Sequence, residues 1–403
     1  MSTLAERILG AGAGEYVDRQ VDHAFAHDGT GVLAHEAWKQ MNADLAAPEK
    51  LSLIFDHITP ANNSTTAGLQ HELRDFAEEK GISFSDIGGG ICHQLMSEGR
   101  VLPGEIVVGA DSHSCTMGAF GAFATGVGAT DMAAIWASGG TWFRVPESIE
   151  ISLSGSLRGA AEAKDLALTY ITRLGMDGGT YRALEFTGEG AEGLGMSERL
   201  TLCNMAVECG AKAGMFYADQ TTRRYLREFG HDVSIQKREK AKYIQEVSID
   251  LDDVAPLLAV PHRVDTTAPV EKYAGTHLDQ IFVGTCTNGR YEDLARFAEI
   301  VKGEKVRVRT VVAPASRSVL MKAIETGVLG TIVASGCAVC TPGCGPCLGA
   351  HQGVLGEGEV GLSTANRNFR NRMGVGAEYF LSSVATAAAS ALTGEITVPE
   401  VGE

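Results

Sequence analysis

Short apolar runs alternate along the chain with stretches of helical periodicity. In residues 1–150 the runs LSLIFDHI and EIVVGAD read as buried strands, and Thr66 to Lys80 reads as a helix, the rhythm of an α/β domain. At PESIEISLSG an alternating strand restarts after a proline, marking a seam near residue 150. Strand, helix and strand then recur to about residue 265, with a helix expected over Glu198 to Lys212 and a polar, mixed-charge helix near Thr222 to Tyr243. The segment APLLAVPHRVDTTAPVEKYAG carries three prolines and reads as a linker. Beyond it QIFVGTC, VRVRTVVAP, TIVASGC and EVGLSTA read as the strands of further α/β units. Three α/β domains are therefore expected, over 1–150, 151–265 and 266–403. No fixed-period repeat supports a solenoid.

Composition narrows the class. With 44% hydrophobic and 21% charged residues the chain is an ordinary globular one, but 49 glycines in 403 residues exceed the usual share of about 7%. Without a collagen-like period, the excess points to tight turns and close backbone approaches of the kind that surround ligands. A net charge of −16 argues against nucleic acid and anionic membranes as partners. An anionic substrate would have to be captured by a few placed arginines. MSTLAERILG has no signal-peptide pattern, and SVATAAASALTG falls short of a membrane span, so a cytoplasmic protein with reduced cysteines is expected.

Five of the nine cysteines lie in the last third: Cys286, Cys337, Cys340, Cys344 and Cys347. CAVCTPGCGPC holds two C-x2-C pairs, with Gly343, Gly345, Pro346 and Gly349 around the second. Small residues let backbone N–H groups approach sulfur, as an iron–sulfur cluster requires. Zinc and inert buried thiols are the competing readings, although zinc ribbons usually separate their pairs by more than three residues. Cys286, Cys344 and Cys347 are favoured as ligands. Three thiolates on a four-iron cluster leave one iron open as a Lewis acid. Cys337 and Cys340 then read as core thiols, and Cys92, Cys115, Cys203 and Cys209 as buried hydrophobes.

Asp56 and His57 follow an apolar run, where a strand passes into a loop and α/β sites form. An aspartate beside a histidine can orient an imidazole that donates a proton. The setting recurs at Asp111 and His113, and His93 follows a triple glycine. Any one such pair reads equally as a turn capping a helix; the repetition favours chemistry. Asn204 and Glu208 share a helix face at i, i+4 spacing, and Arg367 and Arg372 could clamp an anion or form a solvated turn. Gly188, Gly190 and Gly193 match a dinucleotide loop in outline, but Glu189 and Glu192 would oppose a pyrophosphate. His23 and His27, a conceivable metal pair, read more simply as ordinary histidines, and KREKAK as a solvated helix face.

Taken together, DHITP (56–60), GGGICHQ (88–94), GADSHSCTMGAFG (109–121), CNMAVECGAKAG (203–214), VGTCTNGR (283–290), PGCGPCLGAHQG (342–353) and STANRNFRNRMG (363–374) resemble the aconitase superfamily. Within it, the large subunits of 3-isopropylmalate dehydratase and homoaconitase are most similar. The resemblance spans nearly the whole chain. It implies three α/β/α domains around a [4Fe-4S] cluster on Cys286, Cys344 and Cys347, whose open iron takes the substrate hydroxyl and a carboxylate. It also implies that Asp56 and His57 protonate the departing hydroxyl. His93, Asp111, His113 and Glu208 would line the iron-bound water network, Asn204 and Asn288 would lie beside the cluster, and Arg367 and Arg372 would hold substrate carboxylate or the surrounding network. Where relatives commonly read GRMG, this chain reads Asn371-Arg372-Met373-Gly374.

The implied activity is a hydro-lyase acting on a 2-hydroxy di- or tricarboxylate, 3-isopropylmalate dehydratase of leucine biosynthesis first, with homoaconitase, 2,3-dimethylmalate dehydratase or a broad 2-alkylmalate dehydratase as sister activities. The family's base is a serine on a swivelling fourth domain. The chain ends at Glu403 without one, so a small swivel-domain subunit carrying that serine is the expected partner. A non-catalytic cluster-bearing sensor and a nucleotide-dependent α/β enzyme are the rivals from other classes.

Overall fold

The computed structural model describes residues 2–400. They gather into two compact units, one of residues up to Leu153 with Asp177–Ser248, the other of Ser154–Met176 with Ile249 onward. In the first unit the apolar runs form a five-stranded parallel sheet in the order Ser83–Ser85, Leu51–Ile54, His23–His27, Ile106–Gly109, Phe123–Gly126. The three middle strands are almost wholly buried, as the continuous runs LSLI and IVVG require of a sheet covered on both faces. Leu53, Phe55, Phe76 and Trp136 join its core. Truncating a core residue such as Leu53 to alanine typically costs about 2–5 kcal/mol. The long helix is Ser64–Lys80; the Asn63 side chain caps it by accepting the Thr66 N–H at 2.9 Å, and Gly81 ends it.

A second sheet runs in the order Ala213–Phe216, Ala183–Thr187, Ser148–Ser154, Gln245–Asp250. Against it packs the segment Ser112–Phe120, which approaches so closely that a Cβ on Gly118 would meet the Gly214 carbonyl at 1.8 Å. Only glycine fits there. The expected helix over 198–212 is Met196–Met205, tightening into a 3-10 turn at Ala206–Cys209 before Gly210. The expected polar helix over 222–243 stops at Arg227. Residues 231–243 are irregular because their charges leave no apolar stripe to bury, so KREKAK is not a helix face.

In the second unit a seven-stranded sheet runs Thr267–Pro269, Leu257–Ala259, Glu378–Leu381, Val360–Ser363, Gln280–Val283, Arg309–Val312, Ala338–Val339. The proline-rich segment is thus no linker: Leu257–Ala259 and Thr267–Pro269 pair as an antiparallel hairpin on the sheet edge, where proline is tolerated. TIVASGC is not a strand either. It lies largely in the helix Val328–Ala334, an ambiguity inherent in short apolar runs. Among the described residues no helix is long and apolar enough to cross a membrane.

Candidate active site

The first unit collects its chemistry at the C-terminal ends of the parallel strands. Leu51–Ile54 delivers Asp56 and His57, Ile106–Gly109 delivers Asp111, and His23–His27 delivers His27. Asp56 is fully buried. Its Oδ1 meets His57 Nδ1 at 2.6 Å, and its Oδ2 accepts the Cys92 N–H at 2.7 Å. Burial alone would raise its pKa, but the His57 charge and hydrogen bond, His27 and the Cys92 N–H outweigh it and bring the value to about 2. An ionised Asp56 favours a proton on His57 Nδ1, which leaves Nε2 facing Asp111.

Asp111 is the hub. Its Oδ1 lies 3.1 Å from His93 Nε2 and 3.4 Å from His113 Nδ1, and its Oδ2 lies 3.7 Å from His57 Nε2 and 3.8 Å from His27 Nε2. Burial opposes its charge, but hydrogen bonds to His113 and His93 hold its pKa well below the usual carboxylate range. On its other side His113 Nε2 reaches Glu208 Oε1 at 2.8 Å, and Asn204 Nδ2 donates to Thr116 Oγ1 at 2.8 Å. The i, i+4 pair of the sequence therefore serves one buried network across 95 residues of chain.

His27 and Asp28 belong to this cluster, although the sequence reading set His27 aside. The His27 ring stacks on His57 with centroids 3.6 Å apart, and its Nδ1 accepts the Gly29 N–H. Asp28 accepts the N–H groups of His57 and Ile58 at 2.9 and 2.8 Å. The donor atoms of His27, Asp28, Asp56 and His57 all lie within 4.8 Å of one another. Both carboxylates accept backbone N–H groups. The signal available in sequence was the strand-end rule itself: HAFAH ends at His27 and is followed by Asp28.

Burial first, and then the His57 charge, lower the His27 pKa to about 4, against the opposing pull of Asp56, Asp111 and Asp28. The unfolded chain protonates this residue below its ordinary value of 6.5 while the folded one stays neutral. Its contribution to stability is thus complete above 6.5 and is lost as pH falls from there through about 4. Urea midpoints of the wild type should fall with acid more steeply than those of His27→Gln. Parallel profiles would remove His27 from this account.

The second unit holds the cysteines. Cys286 lies in the turn Thr285–Asn288 past the end of strand Gln280–Val283, and Arg290 clamps that turn by donating to the carbonyls of Cys286 and Thr287 at 3.0 and 2.6 Å. Asn288 Nδ2 donates to Asp293 Oδ1 at 2.9 Å, and Asn366 Nδ2 lies 3.5 Å from Cys286 Sγ. Cys344 caps the 3-10 turn Gly345–Leu348, and Cys347 lies within it. Gly349 closes it with φ of 71°, where a Cβ would meet the Arg372 carbonyl at 2.4 Å. Arg372 donates through Nε to the Cys347 carbonyl at 3.0 Å and lies 4.0 Å from its Sγ. Asn371 takes the left-handed conformation at φ 66°, which asparagine tolerates. Tyr379 donates to the Arg367 carbonyl at 2.6 Å.

Lys164 was not singled out in the sequence, yet it is fully buried. Its ammonium donates to the carbonyls of Thr364 and Ala365 at 2.6 and 2.8 Å and to Thr287 Oγ1 at 3.3 Å. Burial lowers its pKa to about 7, opposed by Asp293, Cys286, Asp165 and Cys347. Arg372 in turn is influenced by Cys347 and Cys344. Cations thus stand near Cys286, Cys344 and Cys347, the donor set an anionic thiolate-bound cluster needs. Cys337 and Cys340 differ. Cys337 sits in the apolar core beside Ser335, and burial pushes the Cys340 thiol up to about 11.

The whole chain compares with known proteins. A model of the aconitase family (aconitate hydratase) matches residues 6–394. A probable methanogen homoaconitase large subunit from Methanosarcina mazei is 53% identical over 94% of this chain and 98% of that protein. A 3-isopropylmalate dehydratase large subunit from Archaeoglobus fulgidus is 46% identical over 98% of each. The solved aconitase X of Thermococcus kodakaraensis, at 14% identity, superposes with a TM-score of 0.53 over 90% of this chain and 88% of that one, a likeness of fold. The strand-end histidines, the thiols and these matches lead to one conclusion: the chain belongs to the aconitase family.

Proposed function

We propose that this chain is the large, cluster-bearing subunit of a cytoplasmic hydro-lyase that dehydrates and rehydrates a 2-hydroxy di- or tricarboxylate, 3-isopropylmalate first. The observation that carries the reading is the Asp56–His57 pair, 2.6 Å apart and set beside the four-histidine Asp111 hub. Dehydration must remove a weakly acidic proton next to a carboxylate and expel hydroxide, a poor leaving group. His57, oriented by Asp56, donates its Nε2 proton to the departing hydroxyl. His27 stays neutral against it, so the stack does not repel an imidazolium. Asp111, His93, His113 and Glu208 hold the released water.

Cys286, Cys344 and Cys347 would hold a [4Fe-4S] cluster, which when bound supplies a Lewis acid to the substrate hydroxyl. Arg372 fixes the cysteine loop, and Arg367 is assigned a substrate carboxylate. Asn204 and Asn288 hold the neighbouring network in their respective units. Domains are proposed over residues 1–150, 151–265 and 266–403. The base is assigned to a serine on a small swivel-type subunit, a partner supported by the words "large subunit" in the relatives' names.

The purified chain, reconstituted with iron and sulfide, should be silent alone and turn over isopropylmalate once the small subunit is added. Substantial dehydratase activity from the chain alone would place the base within it. Homocitrate is the second reading, favoured by the 53% identical homoaconitase relative. Turnover of homocitrate but not isopropylmalate by the paired subunits would decide for it.

A further inference from the structure

The first unit contains a cavity of about 450 Å³ at the ends of strands Ile106–Gly109 and Phe123–Gly126, lined by Asp111, Ser112, Gly126, Asp131, Val207 and Lys212 among others. This size suits a small ligand. Lys212 is its one basic lining residue. An ammonium has three donors. Lys212 gives one to the Gly126 carbonyl at 3.2 Å and lies 5.8 Å from the Tyr181 ring centre, and its remaining donors meet no acceptor among the described residues. Its position is partly withdrawn from water, so burial lowers its pKa, with Asp131 opposing. Two carboxylates also line the cavity, and neither accepts a hydrogen bond from Lys212 among the described residues. Asp111 serves its histidines, and Asp131 accepts the Gly128 N–H at 3.3 Å. A cation with spare donors, in a cavity that also touches the Asp111 hub, is completed by an incoming anion.

We propose that Lys212 binds a carboxylate of the hydroxy-acid substrate in this cavity, beside Asp111 and Ser112. The proposal rests on the hydro-lyase reading, which supplies a substrate of that charge. In a chain of net charge −16, such a local cation is what allows a polyanion to settle there. The shared chemistry, an oxyanion, could also be free phosphate, and the test separates the two.

Lys212→Met in the paired holoenzyme should raise KM about 10- to 100-fold, the span of a lost charge-assisted hydrogen bond, with kcat changed much less. Lys212→Arg, which keeps the charge, should recover most of that loss. Calorimetric titration with malonate, a dicarboxylate that is not turned over, should show the same weakening in Lys212→Met. This binding arm tests the site even if wild-type turnover fails, an outcome that would count against the hydro-lyase reading alone. Unchanged malonate affinity and KM would overturn the proposal, as would equal losses in the Met and Arg variants. Relief of inhibition by inorganic phosphate with KM unchanged would assign the cavity to a free anion and overturn it too.

Discussion

Replacing Cys344 with serine should yield protein that takes up almost no iron and has no dehydratase activity, while Cys340→Ser should retain both. The two residues lie four positions apart, in the same glycine-rich run, and both are cysteines in C-x2-C pairs. Their surroundings separate them. Cys344 flanks the turn gathered under Arg372, whose guanidinium is influenced by both Cys344 and Cys347, so its thiolate has a cation to offset charge. Burial without such a cation pushes the Cys340 thiol up to about 11 and keeps it protonated, while its N–H simply extends the sheet edge by donating to the Val312 carbonyl at 2.8 Å. Thiolate is the form that binds metal. Iron and sulfide per chain, measured after anaerobic reconstitution, check the expectation. Equal loss in both variants would mean that the ligand set is wrongly assigned.

What was legible in the sequence was whatever local pattern controls. Asp56, His57, Asp111 and His113 could be found because a buried strand must end somewhere, and in a parallel sheet polar residues just past that end converge. Glu208 could be placed on a face with Asn204 by helical spacing, but not opposite His113, because that contact joins segments 95 residues apart. Lys164 lay beyond reach for the same reason. A lysine near a helix start ordinarily points to water, and it is partners far along the chain, the carbonyls of Thr364 and Ala365 some 200 residues on, that make its burial tolerable. The misread elements follow one rule as well. TIVASGC and the run from 228 to 243 lack a pattern long enough to choose a conformation, and packing chose it for them: a helix for the first, and for the second a loop tied back by Gln236 to Ala218 and Gly121.

The Asn variant of His57 should keep the cluster and the fold yet turn over about 10² to 10⁴ times more slowly, the usual range for a lost general acid. Asparagine is chosen because it can still donate to Asp56 Oδ1 in place of Nδ1, so the buried carboxylate keeps a partner alongside the Cys92 N–H. The backbone N–H groups of His57 and Ile58 remain bound to Asp28, which holds the loop whatever the side chain. What asparagine cannot supply is a titratable proton at the Nε2 position, 3.7 Å from Asp111 Oδ2. The loss should therefore fall on kcat more than on KM, with iron content and thermal midpoint near those of the wild type. His27→Gln gives the contrast: it removes the stacked ring but leaves the proton on His57, so its effect on kcat should be smaller. Turnover by His57→Asn close to that of the wild type would sink the role assigned to His57 and turn attention to His93 or His113, the two imidazoles beside Asp111 Oδ1.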